Sequence, residues 1–158
     1  MSDDRTYPDR PLVGIGVAVL RPDAVLLVRR GTPPALGQWS LPGGAQHLGE
    51  TAEDAARREL YEETGLAVGE LTLIGHVDSI HRDAAGRIRY HYTILDFAAF
   101  WQGDTPRAGS DVTEVAWAAF GDFDRFDLWA EARRIVTEAR AHVLGGGPAL
   151  AGVAPPDR

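Results

Sequence analysis

Short apolar runs bounded by turn residues dominate the first part of the chain. Residues 12–20, LVGIGVAVL, are rich in β-branched side chains and too few to span a membrane, which predicts a buried strand. A turn at 21–23 leads to a second apolar run at 24–30, so the two runs predict a β-hairpin. The segment 31–38 is rich in proline and glycine and is predicted to be an irregular loop.

Two helices are predicted farther along the chain, where helix-forming residues replace the apolar runs. The first covers 52–63, with Thr51 suited to the N-cap and Gly65 suited to the left-handed position after the last turn. The second covers 126–143 and is ended by the glycines at 145–147.

Three further strands complete the pattern of elements. They are predicted at 71–80, 88–101 and 115–120, with a turn at 83–86 and a polar loop at 103–110. Alternation along the second of these strands gives two sets of side chains, both with large apolar members. One face holds Tyr90, Tyr92 and Ile94, and the other holds His91, Thr93, Leu95 and Phe97. We therefore expect both faces of this strand to be covered.

The length and composition indicate one domain over 1–158, and the strands and helices predicted above give it an α/β pattern. The chain has 158 residues, of which 44% are hydrophobic and 25% are charged, as in ordinary globular domains. Residues 1–10 and 147–158 carry no periodic pattern and are predicted to be loose tails. The chain has no cysteine, which excludes disulfides, cysteine-ligated metals and a thiol nucleophile. All of its basic residues are arginine, which excludes a Walker-type phosphate loop.

The charge of the chain restricts its partners. The formal net charge is −7, which argues against a broad basic face that would hold DNA or RNA stably. The first ten residues are polar and acidic, and no run approaches the length of a membrane-spanning segment. We therefore expect a cytoplasmic protein without a membrane partner.

Three glutamates share one face of the first predicted helix. At about 100° per residue, Glu59, Glu62 and Glu63 lie within roughly 100° of one another. The same face continues towards the N-terminus as small alanines, so the carboxylates extend an apolar stripe that would pack against a sheet. Carboxylates directed into a cleft need a cation, and oxygen ligands suit Mg²⁺ or Mn²⁺. A solvated acidic helix face is the alternative interpretation.

The residues around this helix add to the metal hypothesis. Gly43 and Gly44 would let the backbone approach a ligand closely, with a carbonyl or an amide directed at it. Arg58 could form an ion pair with Glu50 or with a glutamate of the cluster, which would fix the side chains that hold a metal. A weak surface ion pair is the alternative for Arg58.

The segment 44–66 resembles the signature of the Nudix hydrolase family, G-x5-E-x7-R-E-U-x-E-E-x-G-U, in which U is aliphatic. All nine defined positions match with the correct spacing, so a chance match is improbable. The matching residues are Gly44, Glu50, Arg58, Glu59, Leu60, Glu62, Glu63, Gly65 and Leu66.

This resemblance implies an α/β/α sandwich with a mixed β-sheet and hydrolysis of a nucleoside diphosphate derivative. It implies that Mg²⁺ or Mn²⁺ is held by Glu59, Glu62, Glu63 and the carbonyl at the position of Gly43. It also implies catalytic roles for Glu59, Glu62 and Arg58. The group that accepts a proton from water varies within the family, and Glu59 is the first candidate here. Asp111 and Glu114 are weaker candidates, for which loop solubility is the alternative.

Substrate contacts are predicted outside the helix. Arg30 ends a strand just before the glycine loop, where its guanidinium could hold a phosphate, although a solvated strand end is the alternative. Alternation places Arg29 on the opposite face. Trp39 could stack on a base, as could the aromatic residues at 90–92, although core packing is the default for each. Gly44 completes the predicted substrate-binding set.

Two sequence stretches favour one branch of the family. The stretches 39–44, WSLPGG, and 87–92, RIRYHY, look like the small ADP-ribose pyrophosphatase branch, which would convert ADP-ribose to AMP and ribose 5-phosphate. A nucleoside triphosphate pyrophosphohydrolase acting on a damaged or noncanonical nucleotide is the alternative. A non-catalytic nucleotide-sensing module is the second alternative. We expect a small-molecule nucleotide as the main partner, and a homodimer is a reasonable default.

Overall fold

The computed structural model describes residues 4–145 of the chain, which contain two α-helices and seven strands. A short 3₁₀ turn, Phe123–Phe126, precedes the second helix. No helix among the described residues is long and apolar enough to cross a membrane. In chain order the elements are β1 Leu12–Arg21, β2 Ala24–Arg30, β3 Trp39–Ser40, β4 Gly43–Ala45, α1 Ala52–Thr64, β5 Thr72–Arg82, β6 Ile88–Phe100, β7 Val112–Ala119 and α2 Ala130–Val143.

The strands form one mixed sheet with the order β3-β2-β1-β6-β5. β1 pairs in parallel with β6, and the other pairings are antiparallel. The C-terminal end of β1 pairs with β2, whereas its N-terminal part pairs with the short strand β4. β7 pairs with β2 as a separate branch. The β1–β4 pairing brings the glycine pair Gly43-Gly44 to the middle of the fold.

Two apolar layers hold the helices against the two faces of the sheet. Ala55, Ala56 and Leu60 of α1 are buried on one face, and Ile135 and Val136 of α2 are buried on the other. The domain is therefore an α/β/α sandwich with a mixed sheet, as predicted.

The helix α1 begins and ends where the sequence predicts. The Thr51 hydroxyl accepts a hydrogen bond from the Asp54 amide at 3.0 Å, which satisfies one of the free N–H groups of the first turn. Gly65 adopts a φ of 72° and its N–H donates to the Tyr61 carbonyl at 2.8 Å. The helix extends one residue past the predicted end, to Thr64.

The second helix begins later than predicted. The residues after 126 do not continue a helix, because Asp127 has a φ of 48° and ends the 3₁₀ turn in the left-handed region. α2 begins at Ala130, so the prediction of a helix from 126 was wrong by one turn. β7 begins at Val112, earlier than the predicted 115, because it continues past a bulge to pair with Arg30 of β2.

The two predicted tails have different outcomes. Residues 4–10 contain no helix or strand, but Tyr7 is anchored rather than loose. Its hydroxyl donates to Asp83 at 2.8 Å, its amide donates to the Arg89 carbonyl, and the guanidinium of Arg87 lies 4.9 Å from its ring centre. The predicted tail at 147–158 lies outside the described residues.

Candidate active site

The glycine pair of β4 lies directly against the glutamates of α1. A Cβ at Gly43 would overlap the carbonyl oxygen of Ile15 on β1. A Cβ at Gly44 would overlap the carboxylate of Glu59. Because Gly43 and Gly44 have no side chains, a carboxylate of α1 can lie directly against the β4 backbone.

Glu63 lies deepest of the signature glutamates and is only 6% exposed. One of its carboxylate oxygens accepts a hydrogen bond from the Gly43 amide at 2.8 Å. Burial, together with the nearby charges of Glu59 and Asp111, raises the pKa of Glu63 to about 8 despite that hydrogen bond. A buried carboxyl of this kind is stable either with a proton or with a cation beside it.

Arg58 connects the signature residues through five hydrogen bonds. Its Nε and Nη2 donate to the two carboxylate oxygens of Glu50, both at 2.8 Å, in a bidentate ion pair. Its remaining contacts are Nη1 to Glu59 at 2.8 Å, Nη1 to Glu62 at 3.1 Å and Nη2 to the Ala45 carbonyl at 3.0 Å. The arginine thus fixes the carboxylate of Glu59, as the sequence predicts.

The charges in this network stabilise one another. The hydrogen bond from Arg58, together with the one from the His47 amide, lowers the pKa of Glu50 to about 2. The hydrogen bond to Glu50 raises the pKa of Arg58. Both groups are therefore charged across the neutral range. Arg58 positions Glu59, because Glu50 anchors it from the opposite side.

The three predicted metal-binding glutamates are not equivalent. Glu59 and Glu63 are one helical turn apart and both lie against β4, whereas the side chain of Glu62 is 45% exposed. Within residues 4–145, no three acidic or imidazole side chains form a complete cage for a cation. The arrangement fits a partial oxygen site that water and substrate phosphate would complete, which is the usual mode for Mg²⁺. The metal role of the Gly43 carbonyl stays a prediction.

A cavity of about 590 Å³ lies on the other side of β4. Its walls come from β1, β4, β5, β6, the loop between β2 and β4, and the first turn of α2. Gly43 and Gly44 line the cavity and also contact the glutamates of α1, so β4 is a wall shared by both sites. The predicted substrate residues Arg30, Trp39 and Gly44 all line this cavity.

Arg30 lies at the end of the cavity near the glutamates. Its positive charge is close enough to oppose the rise in the pKa of Glu63. Its Nε donates to the Pro34 carbonyl at 2.7 Å, which holds the side chain in place. Arg29 is exposed, and it donates to the carbonyl of Gly37 and to Glu114.

The candidate aromatic residues separate into two groups. Trp39 contributes to both the core and the cavity, because its ring packs edge-on against Phe126 with centres 5.2 Å apart. Tyr92 also lines the cavity. Tyr90 is buried and His91 is half-buried, and neither residue lines the cavity. The base-stacking hypothesis therefore remains open for Trp39 and Tyr92.

The two acidic residues near the start of β7, Asp111 and Glu114, lie in different surroundings. The amides of Gly109 and Ser110 donate to the carbonyls of Glu63 and Glu62, which ties the loop before β7 to the last turn of α1. Asp111 follows in the left-handed region, and its charge acts on Glu63. Glu114 is instead 3.4 Å from Arg29 on the outer surface. Only Asp111 is thus placed near the glutamates.

Sequence reasoning did not find Asp96, a buried acidic residue of the cavity. This aspartate is 4% exposed, lies on β6 and lines the cavity floor. Burial raises its pKa to about 7. The available signal was a single acidic residue on the strand face that also carries Tyr92 and Ile94, a face expected to be covered.

Comparisons with known proteins agree with this geometry. The ADP-ribose pyrophosphatase of Methanocaldococcus jannaschii is 36% identical over 105 residues, which cover 66% of this chain and 60% of that protein. The oxidized purine nucleoside triphosphate hydrolase of Mus musculus is 46% identical over 61 residues, or 39% of each chain. The alignments therefore span less than two thirds of either relative.

A solved structure gives a longer match. The MutT NUDIX hydrolase of Burkholderia pseudomallei superposes with a TM-score of 0.71 at 32% identity, covering 82% of this chain and 98% of that one. The family model of the NUDIX domain matches residues 10–139, which include every element of the sandwich up to most of α2. The chain therefore belongs to the NUDIX domain family.

Proposed function

We propose that this protein hydrolyses the pyrophosphate bond of a nucleoside diphosphate derivative, with ADP-ribose as substrate and AMP and ribose 5-phosphate as products. The observation that carries this proposal is the shared wall of β4. It has the glutamates of α1 on one side and a cavity of about 590 Å³ on the other. A nucleoside in the cavity would extend its phosphates past Gly44 towards Glu59 and Glu63.

The donor set suits a divalent cation, Mg²⁺ or Mn²⁺. Glu59 and Glu63 would hold it, with Glu62 and the Gly43 carbonyl as further oxygen ligands. Such a cation, when bound, neutralises the pyrophosphate and lowers the pKa of a coordinated water. Glu59 and Glu63 could then both be charged side by side, because a cation between them would offset the repulsion.

The remaining roles belong to the chain's own residues. Arg58 holds the Glu59 carboxylate in one position through its bidentate anchor on Glu50. Arg30 would bind a phosphate oxygen at the inner end of the cavity, and Trp39 would provide an apolar surface for the base. Glu59 is the first candidate to accept the proton of the attacking water, and Asp111 is the second.

ADP-ribose is favoured by the archaeal relative, whose similarity covers two thirds of this chain. The murine relative favours a second function, pyrophosphohydrolysis of a noncanonical or oxidised nucleoside triphosphate. Both functions use the same glutamates, because both reactions cleave a bond between phosphates.

Product analysis tests both proposals. The protein would be incubated with Mg²⁺ and a panel of ADP-ribose, nucleotide sugars, dinucleoside polyphosphates and nucleoside triphosphates. We expect AMP and ribose 5-phosphate from ADP-ribose, and loss of nearly all turnover in Glu63→Gln, which keeps the volume of the side chain and removes its charge. Preferential release of pyrophosphate from triphosphates would favour the second function. No metal-dependent turnover of any substrate would overturn both and favour a nucleotide sensor.

A further inference from the structure

The outer edge of β5 has backbone groups that point away from the sheet. β5 is the last strand in the sheet order, and among residues 4–145 its only strand partner is β6. Just past the end of β5, the Asp83 amide donates to the Arg87 carbonyl across the hairpin. The N–H and C=O of one residue in an antiparallel strand point to the same side, and this side alternates along the strand. The even-numbered residues from His76 to Arg82 therefore direct these groups away from β6.

Two features set the ends of this open edge. Arg134 reaches the edge from α2 and donates to the His76 carbonyl at 3.1 Å, so that position is already occupied. At the other end, β5 stops at Arg82 and the hairpin turn begins. The outward-directed groups between these ends belong to Asp78, Ile80 and Arg82, so Ile80 lies at the centre of the open edge.

The side chains along the open edge are charged at both ends and apolar in the middle. Asp78 and Arg82 are exposed and carry opposite charges, and Ile80 between them is 48% exposed. Open strand edges are commonly blocked by charged side chains, by proline or by bulges. The charges here are instead self-complementary, because a second copy running antiparallel would present the opposite charge to each end.

Symmetry restricts how two copies can pair along β5. A twofold axis perpendicular to the sheet keeps each side chain on its own face, so the pairing must be centred on one residue. Centring on Asp78 would oppose two carboxylates, and centring on Arg82 would oppose two guanidiniums. Centring on Ser79 or His81 would place Ile80 against a charge. Only the register centred on Ile80 opposes Ile80 to itself and pairs Asp78 with Arg82 at both ends.

A groove beside the open edge is placed to receive the turn of the second copy. It has a volume of about 440 Å³ and is lined by residues 74–78 of β5 and by Glu131, Arg134 and Glu138 of α2. In the register centred on the middle of the edge, the turn at 83–86 of one copy lies opposite 74–77 of the other. Arg87 follows this turn and its side chain is 70% exposed, whereas Glu131 and Glu138 are each 43% exposed in the groove. The turn would thus bring a guanidinium towards two carboxylates.

We propose that the open edge of β5 binds a second copy of this chain, giving a twofold dimer whose antiparallel pairing is centred on Ile80. Ile80 exchanges backbone hydrogen bonds with its counterpart, and Asp78 does so with Arg82 of the other copy. The two sheets become continuous, and both cavities lie on the same face because the twofold axis is perpendicular to the sheet. The dimer does not depend on the proposed function, since no substrate takes part in its formation.

Sedimentation velocity over a concentration series tests the dimer. The paired stretch is short, so we expect a dimer at protein concentrations on the order of 100 µM and dissociation on dilution to about 1 µM. Asp78→Arg and Arg82→Asp each oppose like charges at both ends, and each should raise the dissociation constant by about tenfold or more. The double variant carrying both changes restores opposite charges and should return to within about threefold of wild type.

Asp104→Arg is the matched control, because it makes the same change in net charge in the exposed loop after β6. It should dimerise as wild type does, and circular dichroism of every variant would verify that it is folded. Wild-type protein that stays monomeric at the highest concentration would overturn the proposal. Single reversals without effect, or a folded double variant that stays monomeric, would overturn it as well.

Disulfide cross-linking gives an independent readout of the register, because the chain has no cysteine of its own. Opposed residues in a hydrogen-bonded antiparallel pair have Cα atoms about 5.5 Å apart, within the range that a disulfide requires. Ile80→Cys should therefore give a covalent dimer on oxidation with diamide. Ile88→Cys, also exposed but on β6, should stay monomeric under the same conditions. Absence of the cross-link at position 80, or equal cross-linking at both positions, would reject the register centred on Ile80.

Discussion

Gly44 has no side chain, and the carboxylate of Glu59 occupies the space where a Cβ would lie. The position of this carboxylate is thus set by two contacts, the β4 backbone on one side and Arg58 on the other. Glu59 has little freedom to move without losing one of them. A single methyl group at position 44 is therefore sufficient to test its role.

We expect Gly44→Ala to displace Glu59 and to lower kcat by about 100-fold, because a shift of about 1 Å in a reacting group has effects of that order. Circular dichroism should show an intact fold. Gly121→Ala is the matched control, since a Cβ there meets no atom within 4 Å. Unchanged kcat in Gly44→Ala would show that the position of Glu59 is unimportant for turnover.

The pKa of Glu63, raised to about 8, predicts competition between proton and metal at a single residue. A cation must displace the proton to bind, so the affinity for Mn²⁺ should fall by up to about tenfold for each pH unit below 8. Binding of Mn²⁺ followed by electron paramagnetic resonance at pH 6.5, 7.5 and 8.5 would measure this slope. Glu63→Gln should bind more weakly and with a shallower slope. A flat profile in the wild-type protein would contradict the role of Glu63.

At the scale of elements, α1 is the unit that brings the site together. Its N-terminus is fixed by the Thr51 cap, and its C-terminus is fixed by Gly65 and by the loop before β7. Between these ends the helix presents Glu59 and Glu63 to β4. The stability of the helix ends therefore contributes to the geometry of the carboxylates.

Loss of the cap should destabilise the protein measurably. We expect Thr51→Ala to lower the free energy of unfolding by about 1 kcal/mol, because the Asp54 amide loses its acceptor. Thr51→Ser keeps a hydroxyl at the cap and should remain within about 0.5 kcal/mol of wild type. Urea denaturation of the three proteins would give these differences. Equal stability of Thr51→Ala and Thr51→Ser would exclude a contribution from the cap.

The elements of this fold differ in how far local sequence determines them. The bounds of α1 were predictable because Thr51 and Gly65 are local signals that act within one turn of the helix. The start of α2 was not, because residues 126–129 are compatible with a helix and only the left-handed conformation at Asp127 interrupts it. The extension of β7 to Val112 likewise depends on a bulge in its pairing with β2, which is a long-range contact.

The candidate site shows the same division. The helix glutamates and Arg58 were predictable from spacing, because residues three and four apart share a helix face. The unequal burial of Glu62 and Glu63 and the position of Asp96 were not. The burial of a side chain depends on which strand lies beside it in the folded protein. Asp96, for example, lies beside Gly16 only because β1 and β6 pair in parallel.

For the whole molecule, the raised pKa of Asp96 predicts how stability depends on pH. The folded state binds this proton more tightly than the unfolded state, whose aspartate has the ordinary pKa of 3.8. The contribution of Asp96 to the free energy of unfolding is complete below pH 4 and is lost as the pH rises to about 7. The total contribution is up to about 4 kcal/mol.

We therefore expect the free energy of unfolding, measured with urea in metal-free buffer, to decline between pH 5 and pH 7. The decline should be smaller in Asp96→Asn, which carries no titrating group at this position. Glu63 contributes a similar decline to both proteins, so the difference between the two curves isolates Asp96. Parallel curves would show that Asp96 titrates equally in the folded and unfolded states.

The three-residue strand β4 differs from the rest of the cavity wall, because two of its positions have no room for a side chain. Position 43 is closed to any side chain by the Ile15 carbonyl, and position 44 is closed by the Glu59 carboxylate. The cavity residues that come from the loop after β2, from β5 and from the start of α2 are not glycines. Substitutions in those walls can therefore change the shape of the cavity while the carboxylates of α1 keep their positions against β4.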